Sequence, residues 1–320
     1  MTILTDISAL VKWQEKKELN SRIAYKMKKA GFEERGDRML NCGTLLTVSV
    51  CPTCGKNHIS SANLCRDRLC PTCAWRLSLK RFSEMCSTMQ AITDLDCYIA
   101  GFLTLTVKNC DTENLRETIS KMNADWNRFL QQRPIKRILV GWARSVEITY
   151  NKKTGQFHPH FHIITLTKDK ETATESYLRT LFANGWDTAS RLDYKPITDF
   201  RFISDRMNAN EGGLSCDNEN LERAILETYK YSVKAKTLEK IPLYKFADFV
   251  NQIRGLRFTA FGGIIKNARA LLGYKDNQDE PDEIKEINTC CGQQMLDIFF
   301  KWSFSEQNYK VYADSISNNT

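Results

Sequence analysis

Five consecutive residues, His158-Pro159-His160-Phe161-His162, hold three of the chain's four histidines. Two apolar stretches flank them, Val146 to Tyr150 before and Ile163 to Leu166 after. The polar run Asn151-Lys152-Lys153-Thr154-Gly155 lies between, which predicts a strand, a turn and a second strand. Side chains alternate along a strand, so His160 and His162 share one face while Phe161 and Ile163 take the other. Glu147 can join the histidines from the first strand, because Val146 and Ile148 claim its opposite face. Two imidazoles and a carboxylate on one sheet surface can hold a divalent metal. His158 is a further candidate ligand by the same alternation. A merely solvated polar strand would leave this concentration of histidine without a reason.

Cysteine supplies the second kind of chemistry. Among twelve cysteines, Cys51-Pro52-Thr53-Cys54 is followed by Cys65 and then by Cys70-Pro71-Thr72-Cys73. Paired Cys-x-x-Cys knuckles predict a structural Zn²⁺ in tetrahedral thiolate coordination. Cys51, Cys54, Cys70 and Cys73 are the first choice of ligands, with Cys65 and Cys42 near enough to take part. Cys86, Cys97, Cys110, Cys216, Cys290 and Cys291 read as scattered core or surface thiols. The first twenty residues show no export signal, so reduced thiols and a cytoplasmic location are expected.

These groups need a scaffold. Residues 1–38 read as an amphipathic helical segment, with Gly31 as a stop. Residues 39–95 form the cysteine-rich module and a helix from about Trp75. Phe102 to Val107 alternates as a strand, with Thr104 and Thr106 facing outward. Helices are expected at about 112–131, 172–183, 221–235 and 238–253, a strand at 197–203 and a loop at 208–220. Residues 96–275 would form the main domain, with an aromatic stretch from Arg257 ending in a flexible Gly262-Gly263 turn. Residues 276–320 read as an acidic linker and a modest apolar tail. Strand hairpins mixed with helices give an α+β class: a central antiparallel sheet with flanking helices, preceded by a zinc-binding module.

At 320 residues and 26% charged content the chain has an ordinary globular composition, with a net charge of +8. No apolar run approaches the roughly 20 residues of a membrane span, so no membrane partner is expected. The ten basic residues between Lys230 and Lys275 face only Glu239 and Asp248, a pattern suited to a polyanion. Lys230, Lys234, Lys266 and Arg269 are candidate phosphate contacts.

Taken together, the motifs resemble the replication initiators of small rolling-circle plasmids, within the HUH endonucleases. The resemblance covers about Asn41 to Gly273. It rests on Phe102-Leu103-Thr104-Leu105-Thr106, on His160-Phe161-His162, and on Glu227-Thr228-Tyr229-Lys230-Tyr231-Ser232-Val233-Lys234. It rests also on the segment Cys65 to Arg76 and on Arg257 to Lys266. It implies a single nucleophilic tyrosine, Tyr231, and a catalytic carboxylate, Glu227. It further implies Mg²⁺ or Mn²⁺ on His160, His162 and Glu147, and cleavage of one DNA strand at a double-strand origin. The expected product is a 5′-phosphotyrosyl link with a 3′-OH primer for a host polymerase and helicase. An HUH transposase or mobilisation relaxase would share this chemistry. A non-catalytic zinc-containing DNA-binding regulator would use the thiolates and basic tract but leave the histidines idle.

Overall fold

The computed structural model describes residues 8–93, 95–168, 173–203, 219–229, 233–275 and 289–312. Helices α1 (Ser8–Lys29) and α2 (Glu33–Asn41) lead into strands β1 (Leu45–Val50) and β2 (Asn57–Ala62) and helix α3 (Pro71–Gln90). Next come β3 (Ile99–Thr106), α4 (Leu115–Gln131), α5 (Arg133–Ile138), β4 (Leu139–Asn151), β5 (Gln156–Thr167) and α6 (Glu175–Ser190). Then follow β6 (Thr198–Phe202), α7 (Glu219–Tyr229), α8 (Ala235–Lys240), α9 (Leu243–Gln252), β7 (Thr259–Gly262) and α10 (Gly263–Leu271). Four short strands finish the described chain: β8 (Thr289–Cys290), β9 (Gln293–Gln294), β10 (Leu296–Ser303) and β11 (Asn308–Val311). The expected α+β class, antiparallel sheets flanked by helices, is what forms. Its two compact units are Met1–Leu77 with Asp279–Thr320, and Ser78–Gln278.

In the second unit, five antiparallel strands run in the order β6-β3-β5-β4-β7, with the histidine strand β5 at the centre. The turn between β4 and β5 is closed by the Gly155 amide donating to the Asn151 carbonyl at 2.8 Å. Phe161, Ile163, Leu103, Leu105, Val146 and Ile148 are all buried. Their face is covered by α6, whose Trp186 meets Phe161, and by α4, whose Asn123 accepts from Arg144. The opposite face carries His160 and His162, then Ile164 and Leu166 further along the strand. Over that second pair pack Leu221, Ala224, Ile225 and Tyr229 of α7, with Met85 of α3 and Ile265 of α10. Burying Leu221 and Ile225 stabilises this packing by roughly 2 kcal/mol each.

The helix expected at 238–253 is two helices. Pro242 disfavours the helical conformation at Ile241, which sits at ψ 126°, so α8 ends there and α9 begins beyond. Gly262-Gly263 is a fixed strand-to-helix junction and no flexible turn. Gly263 has φ +59°, and a Cβ there would lie 1.9 Å from the Val140 carbonyl oxygen. The loop expected at 208–220 lies almost wholly outside the described residues.

The first unit corrects the reading of the C-terminal segment. Residues 289–312 do not form a tail: β10 pairs with β1, placing Ile298 opposite Val48, in a sheet ordered β11-β10-β1-β2. Trp13, Val48, Ile59, Phe300, Trp302 and Tyr309 share its core. Among the described residues no helix is long and apolar enough to cross a membrane.

Candidate metal centre and nuclease face

Register brings the triad together. Glu147 lies directly across from His160 in the β4–β5 ladder, and His162 is the next residue on the same face. Three atoms converge: His160 Nε2 and His162 Nε2 are 3.1 Å apart, and Glu147 Oε2 lies 3.0 Å from His162 Nε2 and 3.4 Å from His160 Nε2. Cis ligands of an octahedral ion at about 2.1 Å stand about 3.0 Å apart, so this triangle fits one face of a coordination shell. All three side chains are largely buried, and the donor set suits a divalent ion.

The outer nitrogens are held as well. His160 Nδ1 lies 3.3 Å from the His158 carbonyl, and His162 Nδ1 lies 3.4 Å from Thr104 Oγ1. A proton on each Nδ1 satisfies these acceptors and leaves each Nε2 lone pair pointing at the centre. Thr104 comes from β3, where it pairs with His162. Burial alone would raise the Glu147 carboxyl, but the two histidines and Lys234 outweigh it and hold the group well below the usual carboxylate range. Lys234 Nζ sits 2.6 Å from Glu147 Oε1.

His158 stands apart from the triad. Its ring stacks on His160 at 5.4 Å, and desolvation, helped by His160, lowers its pKa. It lies between two clefts. One, of about 500 Å³, is lined by Asn109, Lys152 and Lys240; the other, of about 680 Å³, by Lys108, Tyr194 and Lys195. Lys108 Nζ lies 3.9 Å above the Tyr194 ring. Of these lining residues only Lys240 belongs to the basic tract read from sequence; Lys108, Lys152 and Lys195 lie outside it.

Glu227 is half-buried on α7. Tyr231 and Lys230 lie outside the described residues. Tyr229 is a core residue, 2% exposed, its hydroxyl 3.7 Å from the Met85 sulfur, and burial raises its pKa well above the usual phenol range. Lys266 is exposed. Arg269 is a correction to the phosphate-contact set: it is 3% exposed, lies against Glu84 at 3.0 Å and covers the Phe261 ring. Its guanidinium is spent inside the unit.

The thiolate set also divides differently. The two Cys-x-x-Cys pairs do not meet at one centre. Cys70 and Cys73 gather with Cys42 and Cys65, while Cys51 and Cys54 gather with Cys290 and Cys291. In the first cluster the sulfurs stand 3.5 Å (Cys42–Cys73), 3.6 Å (Cys42–Cys70) and 3.7 Å (Cys65–Cys73) apart. Tetrahedral Zn–S bonds of about 2.3 Å give sulfur edges of about 3.8 Å, so these four residues could hold such an ion. Buried Lys17 stands beside them, donating to the Cys42 carbonyl at 2.9 Å. Burial pulls its pKa down to about 8 against the opposing pull of the thiolates. Cys42, read from sequence only as a possible participant, lies 23 residues from Cys65 and belongs to no Cys-x-x-Cys pair.

With fold and site in place, comparison with known proteins gives the class. The sequence profile of the replication protein family matches residues 56–310. The chain therefore belongs to this family of replication proteins, in line with the plasmid-initiator motifs. It is 28% identical over 313 residues to Protein rep of Streptococcus pneumoniae serotype 2 (strain D39 / NCTC 7466), covering 93% of this chain and 91% of that one. Protein rep of Lentilactobacillus hilgardii is 28% identical over 97% of this chain and 99% of its own length. Protein rep of Staphylococcus aureus is 32% identical over 48% of this chain and 67% of its own. No solved structure matches. A replication initiator acts on DNA, and DNA is the partner this family membership implies.

Proposed function

We propose that this chain initiates rolling-circle replication of a plasmid by nicking one DNA strand at its double-strand origin, with Tyr231 as nucleophile. The observation that carries the reading is the convergence of His160 Nε2, His162 Nε2 and Glu147 Oε2 at 3.0 to 3.4 Å. A DNA-binding regulator would have no use for three buried donors aimed at one point. Mg²⁺ or Mn²⁺ is the expected ion, with two imidazoles favouring Mn²⁺ in vitro. The chemistry such an ion supplies is polarisation of the scissile phosphate and neutralisation of its growing charge.

In this mechanism the histidines and Glu147 fix the position of the phosphate. The clefts on either side of His158, edged by Lys108, Lys152, Lys195 and Lys240, give a single strand a path to it. Tyr231 Oη bonds to phosphorus as the bond to the 3′ oxygen breaks. The phenolic proton leaves to solvent, and the 3′ oxygen takes up a proton to become the primer hydroxyl. Lys234 stands beside Glu147, where it can favour the phenolate. The phosphotyrosyl link keeps the phosphodiester energy, so rejoining needs no nucleotide. At termination Glu227 takes a proton from water, and the hydroxide makes the second cut. The first thiolate cluster would serve as a structural zinc site.

The test is adduct formation on single-stranded origin DNA. Tyr231→Phe should bind DNA yet form no covalent adduct. His162→Ala or EDTA should abolish nicking and leave duplex binding. Glu227→Ala should initiate normally but accumulate products longer than one plasmid unit. Adduct on any other residue, or full-rate nicking in EDTA, would overturn the mechanism.

A further inference from the structure

We propose that Cys51, Cys54, Cys290 and Cys291 form a second four-thiolate zinc centre, separate from the Cys42 cluster, that fastens the β8–β9 hairpin to the turn between β1 and β2. Cys54 Sγ and Cys290 Sγ lie 3.7 Å apart, and Cys290 Sγ and Cys291 Sγ 3.8 Å. Both values match the roughly 3.8 Å edge of a tetrahedron with Zn–S bonds of about 2.3 Å. All four sulfurs lie within 4.8 Å of one another.

The two turns differ in length, and in the second Cys291 itself has left-handed φ, at +53°. Each cysteine pair is followed by a glycine with left-handed φ, Gly55 at +70° and Gly292 at +76°. The Gly55 amide donates to the Cys51 carbonyl at 3.0 Å, closing the first turn. Cys51 Sγ lies 3.7 Å from the Cys290 carbonyl oxygen, which sets the first turn directly against the second. Thr53 Oγ1 donates to Gln293 Oε1 at 3.0 Å, so the two turns touch through more than sulfur.

Packing does not account for this contact. β8 and β9 have two residues each, with Gln293 and Gln294 exposed; beyond them Met295 is buried but Leu296 is 61% exposed. A two-stranded hairpin of that length buries too little to hold itself in place. Four thiols meeting at such a spot do so to bind a soft or borderline cation, losing their protons to solvent as Zn²⁺ enters. The consequence is a clamp that returns the C-terminal strands to the sheet begun by β1.

Cys54 and Cys291 are exposed, which makes coordination the only shield they have and gives a direct assay. The full-length chain, purified without added metal, is treated with N-ethylmaleimide before and after a strong zinc chelator, and labelled peptides are mapped. Cys54 and Cys291 should resist alkylation before chelation and react after it. Metal analysis should find one zinc equivalent fewer in the Cys290→Ser, Cys291→Ser double variant, with Cys54 now reactive. Rapid alkylation of Cys54 and Cys291 in the untreated chain would overturn the proposal. So would an unchanged zinc content in the double variant, or a disulfide among these four in the peptide map. Should the double variant fail to fold, the alkylation of the unaltered chain decides.

Discussion

Lys234 Nζ lies 2.6 Å from Oε1 of Glu147, while Oε2 of the same carboxylate faces His160 and His162. One carboxylate is thus shared between a cation of the chain and the point where the imidazoles converge. An ammonium so close opposes a divalent ion at the same group. Lys234→Met should therefore bind Mn²⁺ more tightly, by up to about fivefold, the equivalent of roughly 1 kcal/mol for a lysine that is itself 41% exposed. Calorimetric titration reads this directly. Weaker binding would instead make Lys234 the residue that positions the carboxylate.

Thr104 Oγ1 lies 3.4 Å from the outer nitrogen of His162, where accepting its proton would aim the inner nitrogen at the centre. Thr104→Val keeps the strand shape but removes the acceptor, and should weaken Mn²⁺ binding by about tenfold or more. Thr104→Ser should restore it. Equal affinity in the valine variant would leave Thr104 as strand packing alone.

Tyr229 is expected to act in the core and not on DNA. Tyr229→Phe should form adduct at the normal rate, and its stability near neutral pH should be close to that of the parent, since the lost hydroxyl makes only a weak 3.7 Å hydrogen bond to the Met85 sulfur among the described residues. Tyr229→Ala should cost about 3 to 5 kcal/mol. The buried phenol has a pKa raised above its unfolded value of 10.0. Its contribution is complete below pH 10 and is lost as pH rises above that value, because the unfolded chain ionises first. The phenylalanine variant should thus unfold at higher pH than the parent in an alkaline melt. Loss of adduct in a folded Tyr229→Phe protein would return this residue to the chemistry.

Lys266 and Arg269 should separate cleanly. Removing Lys266, exposed on α10, should leave stability unchanged and reduce the slope of log affinity against log salt by about 1. Arg269→Ala should cost roughly 3 kcal/mol by uncovering the Phe261 ring and leaving Glu84 with the more distant Lys80, at 3.9 Å. A chemical denaturation curve and a salt series on the two variants give both numbers. A normal denaturation midpoint for Arg269→Ala would argue against the buried pair.

Local pattern determined the parts whose partners are near in sequence. Alternation placed His160 and His162 opposite Phe161, and the short turn after Tyr150 set Glu147 against His160, because a hairpin fixes its own register. Family membership followed from motifs in order. Tertiary structure decided what local pattern cannot carry. Cys42 joins Cys70 and Cys73 only because the chain folds back between them, and Cys290 reaches Cys54 across more than two hundred residues. The segment after 288 looked like a tail since β1, the strand it joins, lies more than two hundred residues earlier, and only pairing of β10 with β1 buries Phe300 and Trp302. Arg269 read as a free charge because its spacing says nothing of Glu84, which α3 brings to it. Strand alternation and helical period report which way a side chain faces; what it meets there depends on elements distant along the chain, and that is settled by packing alone.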